Sequence, residues 1–510
     1  MLRMTRRSFI QTTAGAAAAG LLSGGWLDFA FANQTGYFES QFGITDAICG
    51  RALAKALSRG GDFADLYFEH SLLNWLALED GKVDRAYASV VLGVGIRTVR
   101  GDQVGYGYTQ ELTEEAMLAA AATAATIADG PAGAPARVFT PARTGDYYPL
   151  PRLFTAIPIS ERLPVVQAVN DRCFALSPLI VKANVELHTS QSRLLLVGSD
   201  GRRVEDLRPK SYLSVAVVAE KNGRREQARW NLGGRRGFEY YTPAIVDEVA
   251  SEAVMRAGFL FDATQPPAGE TPVVLGPGVT GILLHESIGH GMEADFNRKK
   301  VSTFCTMIGK QVAEPFVTIL DDGTIANQVG SLNFDDEGEA SQRTVLVENG
   351  VLTSYLHDRI SAKHYGVAPT GNGRREDYSF QPMPRMRNTF MLPGPEAPES
   401  LIRAAKNGIY VADVTNGQVK IGEGDFAFYV SRGQRIENGK LTAPIKDINI
   451  IGNGPKLLRN IIAVAGDLKM HQGGAGYCGK NGQKVPVSFG LPTVLVKSVT
   501  VGGVKAGSQA

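Results

Sequence analysis

The sequence predicts an α+β fold: an N-terminal α+β domain followed by a β-rich C-terminal domain that carries one short helix. Three observations predict it. Strand-like runs come in groups in the first half, each group followed by a single helical segment, instead of in strict βαβα alternation. Glycine is abundant and aperiodic, 58 residues in a chain of 510, which points to many turns. Beyond the linker DATQPPAGET (262–271), long helical patterns give way to strands and tight turns. A chain of 510 residues is also too long for one ordinary domain. It divides into a leader (1–32), an N-terminal domain (33–265) and a C-terminal domain (266–510).

In order, residues 44–57 have helical spacing of apolar residues. Strands are predicted at 64–70, 73–78, 86–99 and 104–109, with turns at Asp80-Gly81 and Arg100-Gly101-Asp102. Residues 113–128 form an Ala-rich helix, with Thr113 as N-cap and two glutamates in its first turn. Residues 130–142 are a Pro/Ala/Gly loop, and 160–176 a second long helix. Strands at 180–189, 192–198 and 212–220 and a helix at 242–257 complete the first domain. In the second, a short helix lies around 280–294. Strands are predicted at 315–320, 344–348, 351–356, 408–414, 426–432 and 493–499, with hairpin turns at Asn349-Gly350 and Asn438-Gly439. No long-range repeat is present.

The hydrophobic fraction (44%) and charged fraction (20%) are those of a soluble globular protein. A net charge of +2 gives no basic excess for nucleic acid. The N-terminus holds Arg6 and Arg7 in T-R-R-S-F-I, a pattern like the twin-arginine export signal. A short Ala/Gly-rich run follows, then Ala30-Phe31-Ala32, an A-x-A cleavage site. Cleavage after Ala32 removes a net +2 and leaves a mature chain near neutrality. The run is too short and glycine-rich for a span of ~20 apolar residues, and nothing later is long and apolar enough. The expectation is a periplasmic or otherwise exported protein with no stable membrane insertion. Of four cysteines, Cys49 and Cys173 read as core residues of helices; a disulfide between Cys305 and Cys478 stays open.

The chemistry centres on HESIGH, residues 285–290. With seven histidines in the chain, a random H-E-x-x-x-H arises on the order of 0.005 times. Zinc peptidases commonly carry H-E-x-x-H, whose histidines lie about 40° apart around a helix. Histidines five apart are about 140° apart on an α-helix and diverge. The pair can share a metal only if the helix breaks, and Gly289 and Gly291 around His290 suggest that His290 leaves the helical backbone. Glu286 matches the carboxylate that in H-E-x-x-H enzymes polarises a metal-bound water. A catalytic zinc commonly has three protein ligands. Cys478, in the glycine-rich GYCGKNGQKVPVSFG, is the leading third ligand; His471, Asp321, Asp322, Asp335 and Asp336 are alternatives. Arg374 and Arg375 could hold a substrate carboxylate or serve structure. Asp335, Asp336 and Glu337 read foremost as turn residues or acceptors near the site, and Tyr106, Tyr108 and Trp230 as packing residues.

Several stretches run in an order that resembles the TldD/PmbA family of metallopeptidases, its catalytic TldD-like branch in particular. They are LLHESIGHGMEADFNRK (283–299), LDDGT (320–324), SLNFDDEGE (331–339), PTGNGRRE (369–376), QPMPRMRNTFML (381–392), IGNGP (451–455) and CGKNGQKVPVSFGLPT (478–493). GVGIRTVRGDQVGYGYT (93–109) matches more loosely. The resemblance implies that His285, His290 and Cys478 bind one Zn²⁺ per catalytic chain and that Glu286 is catalytic. It implies cleavage of short or unfolded peptides bound as an added β-strand in an enclosed cavity. It also implies a dimer, with a second copy or with a related subunit lacking the metal motif. Two features depart from the family: Ser287 stands where many members have Ala, and most members lack an export signal. A function of another class is a non-catalytic peptide-binding or scaffolding subunit with a structural metal; passive partners in the family lose H-E-x-x-x-H, which this chain retains.

Overall fold

The computed structural model describes residues 36–142, 145–420 and 423–502. The leader, with Arg6, Arg7 and the Ala32 cleavage site, lies outside the described residues. The molecule is α+β, as expected. Its first half is built on one seven-stranded sheet. The strands are β1 (Phe63–Glu79), β2 (Lys82–Arg100), β3 (Gln103–Thr109), β4 (Thr140–Pro141), β5 (Ile180–Gly198), β6 (Arg202–Lys221) and β7 (Arg224–Gly234). The order is β3-β2-β1-β5-β6-β4, with β7 paired on β6 beside it.

The strands are longer than their apolar patterns suggest. The runs at 64–70 and 73–78 join into β1, and 180–189 and 192–198 into β5. The polar residues that looked like breaks are satisfied inside the sheet. Ser71 pairs with Ser192 across the two strands, their hydroxyls hydrogen-bonded at 2.6 Å, and Gln191 accepts from the Phe154 amide at 2.7 Å. Asp80-Gly81 turns β1 into β2 with positive φ at both residues, as the dipeptide predicts.

Helices cover one face of this sheet. α1 (Tyr37–Phe42), α2 (Asp46–Ala56) and α3 (Glu114–Ala125) pack on β1–β3 through Leu53, Met117, Leu66 and Phe68. Thr113 caps α3, its hydroxyl accepting from the Ala116 amide at 3.3 Å. α4 (Ile159–Leu176) and α5 (Pro243–Leu260) pack on β5–β7. Cys49 in α2 and Cys173 in α4 are buried core residues, as read from the sequence.

The second half holds two larger sheets. In one, strands 408–420, 269–275, 494–502, 448–453 and 425–437 pair in sequence, and the last pairs back on the first, closing a five-stranded ring. The other is six-stranded, with Ile319–Asp322, Asn388–Met391 and Ser488–Leu491 at its centre. The expected strand at 315–320 is displaced to Ile319–Asp322, past Pro315, which has no amide to give a ladder. Both Asn-Gly turns have positive φ at each residue. A helical run from Val279 to Met292 belongs to the same core, through Leu283, Leu284, Ile288 and Met292.

Candidate active site

The helical run does not break between the two histidines. Ile282–Leu284 is α-helical, His285–Gly289 makes a π-turn, and His290–Met292 tightens to a 3₁₀ turn. The amide of His290 donates to the carbonyl of His285, five residues back. His285, Gly289 and His290 all keep right-handed helical dihedrals. The expectation that His290 leaves the helix at a glycine is therefore corrected: the additional residue is absorbed by widening one turn, which aligns residues five apart. The two imidazoles lie 5.2 Å apart, edge to face. Gly289 serves packing, since a Cβ there would lie far inside contact distance of Met386 Sδ.

Cys478 comes from a hairpin, Tyr477–Lys480 paired with Gln483–Pro486 and turned at Asn481-Gly482. Its Sγ lies 3.1 Å from His290 Nε2. Among the described residues, His285, His290 and Cys478 are the group whose potential ligand atoms gather, all within 4.8 Å of one another and all buried. A tetrahedral zinc held by two imidazoles and a thiolate needs donor separations of roughly 3.3–3.6 Å. Nδ1 of His285 is buried and finds no hydrogen-bond partner among the described residues. The donor set and its spacing fit a metal ion of zinc's softness.

Electrostatics favour the ligating form of the cysteine. Burial opposes ionisation of Cys478, but His285 and His290 outweigh it and hold the thiol well below its ordinary value, toward the ligating thiolate. Burial also opposes a charge on His290, yet Glu293 and Cys478 hold it well above its ordinary value. The sequence reading missed Glu293. Its carboxylate accepts from His290 Nδ1 at 2.9 Å, which leaves Nε2 toward Cys478. Burial works against that carboxylate, but Lys480, His290 and Arg385 bring it down to about 2. The signal was present: an acid three residues after a ligand histidine, in GHGME.

Glu286 is partly exposed, with Oε2 3.7 Å from His290 Nε2. It and His285 line a cavity of about 480 Å³. Aromatic and aliphatic side chains, Trp230, Phe489, Val414 and Leu260 among them, form much of its wall. β7 contributes Gln227 to Asn231 from the other half of the molecule. The sequence reading had no strand there: RREQ is continuously polar, and the apolar/polar alternation is confined to the five residues ARWNL. Trp230 lines the cavity under the Arg256 guanidinium, 3.9 Å away, and Tyr108 is 57% exposed, so neither is a simple packing residue. Tyr106 does pack, donating to the Tyr378 carbonyl at 2.7 Å.

The alternative ligands lie elsewhere. His471 also lines the cavity but stacks on Phe489 at 5.0 Å, one ring away from His285, and burial pulls it down to about 4. Asp321 binds Arg387, Thr389 and Asn372. Asp322 accepts from Thr324. Asp335 accepts from the amides of Glu337, Glu339 and Gly373. Asp336 pairs with Arg208. Arg374 donates to the carbonyls of Met386 and Pro486, and Arg375 to that of Asp336, so both are structural. All four cysteines are free, which removes the Cys305–Cys478 disulfide.

Three family models match in succession: PmbA/TldA metallopeptidase domain 1 over residues 64–128, the central domain over 152–258 and the C-terminal domain over 268–503. Curated relatives include a metalloprotease TldD homolog of Haemophilus influenzae, 38% identical over 87% of this chain and 94% of its own length. One of Buchnera aphidicola is 36% identical over 89% and 95%. A zinc metalloprotease TldD homolog of Saccharolobus solfataricus is 29% identical over 88% and 99%. Among solved structures, TldE of Thermococcus kodakarensis superimposes with a TM-score of 0.69 at 17% identity, over 87% of this chain and 97% of that one. A Thermotoga maritima protein with a suggested role as modulator of a DNA gyrase gives 0.71 at 22% identity, over 86% and 96%. At these identities the structures speak for the fold alone.

Proposed function

The chain belongs to the PmbA/TldA metallopeptidase family, and from that premise we propose that it is a zinc-dependent peptidase acting on short or unfolded peptides. The observation that carries this reading is one arrangement: three buried soft and imidazole donors, with the Glu286 carboxylate beside them at the wall of an apolar cavity. A zinc ion held by His285, His290 and Cys478, one per chain, would supply Lewis acidity toward a carbonyl and toward water. Glu286, on the cavity side, takes the proton of the attacking water and returns it to the leaving amine. Glu293 holds the His290 ring by its Nδ1. The edge of β7 at Gln227 to Asn231 and residues 413–415 offer backbone along which an extended peptide can lie as an added strand. Trp230, Val414 and Phe489 receive apolar side chains.

Glu286→Gln tests the reading. It is expected to keep the metal and to lower kcat on an unstructured peptide by about 10²–10⁴-fold. Hydrolysis at the wild-type rate with metal bound would overturn the water-activating role of Glu286, whereas a metal-loaded wild type without hydrolysis would support a structural metal in a non-catalytic subunit. Export through the twin-arginine leader and assembly as a dimer, with itself or with a related subunit, belong to the same proposal. Replacing Arg6 and Arg7 by Lys should trap the protein in the cytoplasm, which fractionation reads directly. No described helix is long and apolar enough to cross a membrane.

A further inference from the structure

The two parts of the candidate metal site come from distant segments, a helical run and a hairpin, and a buried charge cluster ties them together. Glu293, fully buried, accepts from His290 Nδ1 at 2.9 Å and lies 3.1 Å from Lys480 Nζ with the same oxygen. Lys480 follows Cys478 by two residues on one strand, so both side chains project from the same face. Its ammonium also binds Asp295 at 2.7 Å, donates to the Pro384 carbonyl at 3.0 Å and sits 4.2 Å over the Phe296 ring. Arg385 faces the other Glu293 oxygen at 3.9 Å and donates to the Cys478 carbonyl. Two carboxylates and two cations thus balance in a site shut off from water.

A buried ion pair is a weak source of stability, because desolvation offsets most of its attraction. What this one supplies is registration. We propose that Glu293 and Lys480 act as a positioning pair that sets the Cys478 strand against the His290 ring, so that thiolate and imidazole reach one metal ion at a fixed separation. The hydrogen bond from Nδ1 to Glu293 fixes the tautomer that leaves Nε2 as ligand. The link from Glu293 to Lys480 carries that constraint across to the hairpin. The pair acts through the ligands and touches no substrate.

This inference rests on the metal site proposed above, and the test separates the two. Zn²⁺ affinity is measured by chelator competition, and the thiolate-to-metal absorption band is recorded with Co²⁺, for wild type, Glu293→Gln, Lys480→Met and the double variant. Each single variant is expected to weaken Zn²⁺ by about 10–100-fold and to shift the Co²⁺ band. The double variant should lose less than the product of the two, because both act through one link. Near-ultraviolet circular dichroism reports folding. Lys480→Met, which keeps most of the volume without the charge, carries the test where Glu293→Gln does not fold. A folded single variant with wild-type affinity and spectrum, or losses that multiply, overturns the pairing. Zn²⁺ bound equally tightly by Cys478→Ser overturns the metal site itself.

Discussion

At the residue scale, one glycine shows which force shapes the motif. Gly289 lies inside a helical run with φ −56°, where replacement by Ala ordinarily stabilises by roughly 0.5–1 kcal/mol. Its surroundings reverse the sign. The new methyl would overlap Met386 Sδ, and Met386 is itself fully buried. Overpacking of this kind costs about 1–3 kcal/mol. Gly289→Ala is therefore expected to lower the Tm and to weaken Zn²⁺ by disturbing the π-turn, and a raised Tm in thermal denaturation would show that the turn tolerates the methyl. The set His285, Glu286, His290 and Cys478 was legible because His and Cys are rare in this chain and their pattern is specific. The π-turn was not legible, since an i→i+5 bond leaves no mark on residue spacing beyond the misfit itself. Lys480 escaped for another reason: it carries no spacing signal until the hairpin and the helix meet.

At the element scale, a turn signal helped only where the residues beside it also read as strand: Asn222-Gly223 turns β6 into β7 with positive φ at both residues, yet the polar start of β7 hid that strand. Asp80-Gly81 and Asn349-Gly350 located their hairpins because a two-residue turn demands those residue types. β7 carries mostly charged and amide residues, yet it forms a full ladder with β6 from Ser211 to Lys221. Cross-strand pairing overrides weak propensity there. That strand brings Trp230 to the cavity, with its indole Nε1 buried and without a hydrogen-bond partner among the described residues. A residue that only binds the peptide should change KM more than kcat. Trp230→Ala is expected to raise KM for an apolar peptide by about 10-fold, on the scale of losing one large buried contact. Metal content should stay at the wild-type level. Equal losses in kcat and kcat/KM would place Trp230 in the transition-state machinery instead.

At the scale of the whole molecule, the cavity exists because the two halves dock, and the docking surface sets buried ion pairs beside an apolar cluster in which Tyr67, Leu194 and Leu196 meet Phe334 and Tyr378. Arg97 on β2 bridges Asp65 on β1 and Glu337 of the DDEGE loop, with the bond to Glu337 at 2.6 Å. Arg208 on β6 reaches Asp336 at 2.6 Å. The acids of that loop looked like turn residues in the sequence because their partners lie hundreds of positions away. Glu69 on β1 belongs to the same surface, accepting from the Tyr378 amide at 3.1 Å and from the Ser71 hydroxyl. Burial, with Asp377 and Asp336 nearby, pushes Glu69 up to about 7 against the pull of those two donors. An unfolded glutamate titrates near ~4.3. Between these values the folded chain holds a proton that the unfolded chain releases. The stabilisation from that protonated form is complete below about pH 4 and fades as pH rises to about 7. Glutamine mimics the protonated acid at every pH. Glu69→Gln should therefore raise the Tm at pH 8 while leaving it near the wild-type value at pH 4, a difference that calorimetry at the two pH values reads directly. An unchanged gap between variant and wild type across that range would mean that Glu69 is already ionised in the docked interface.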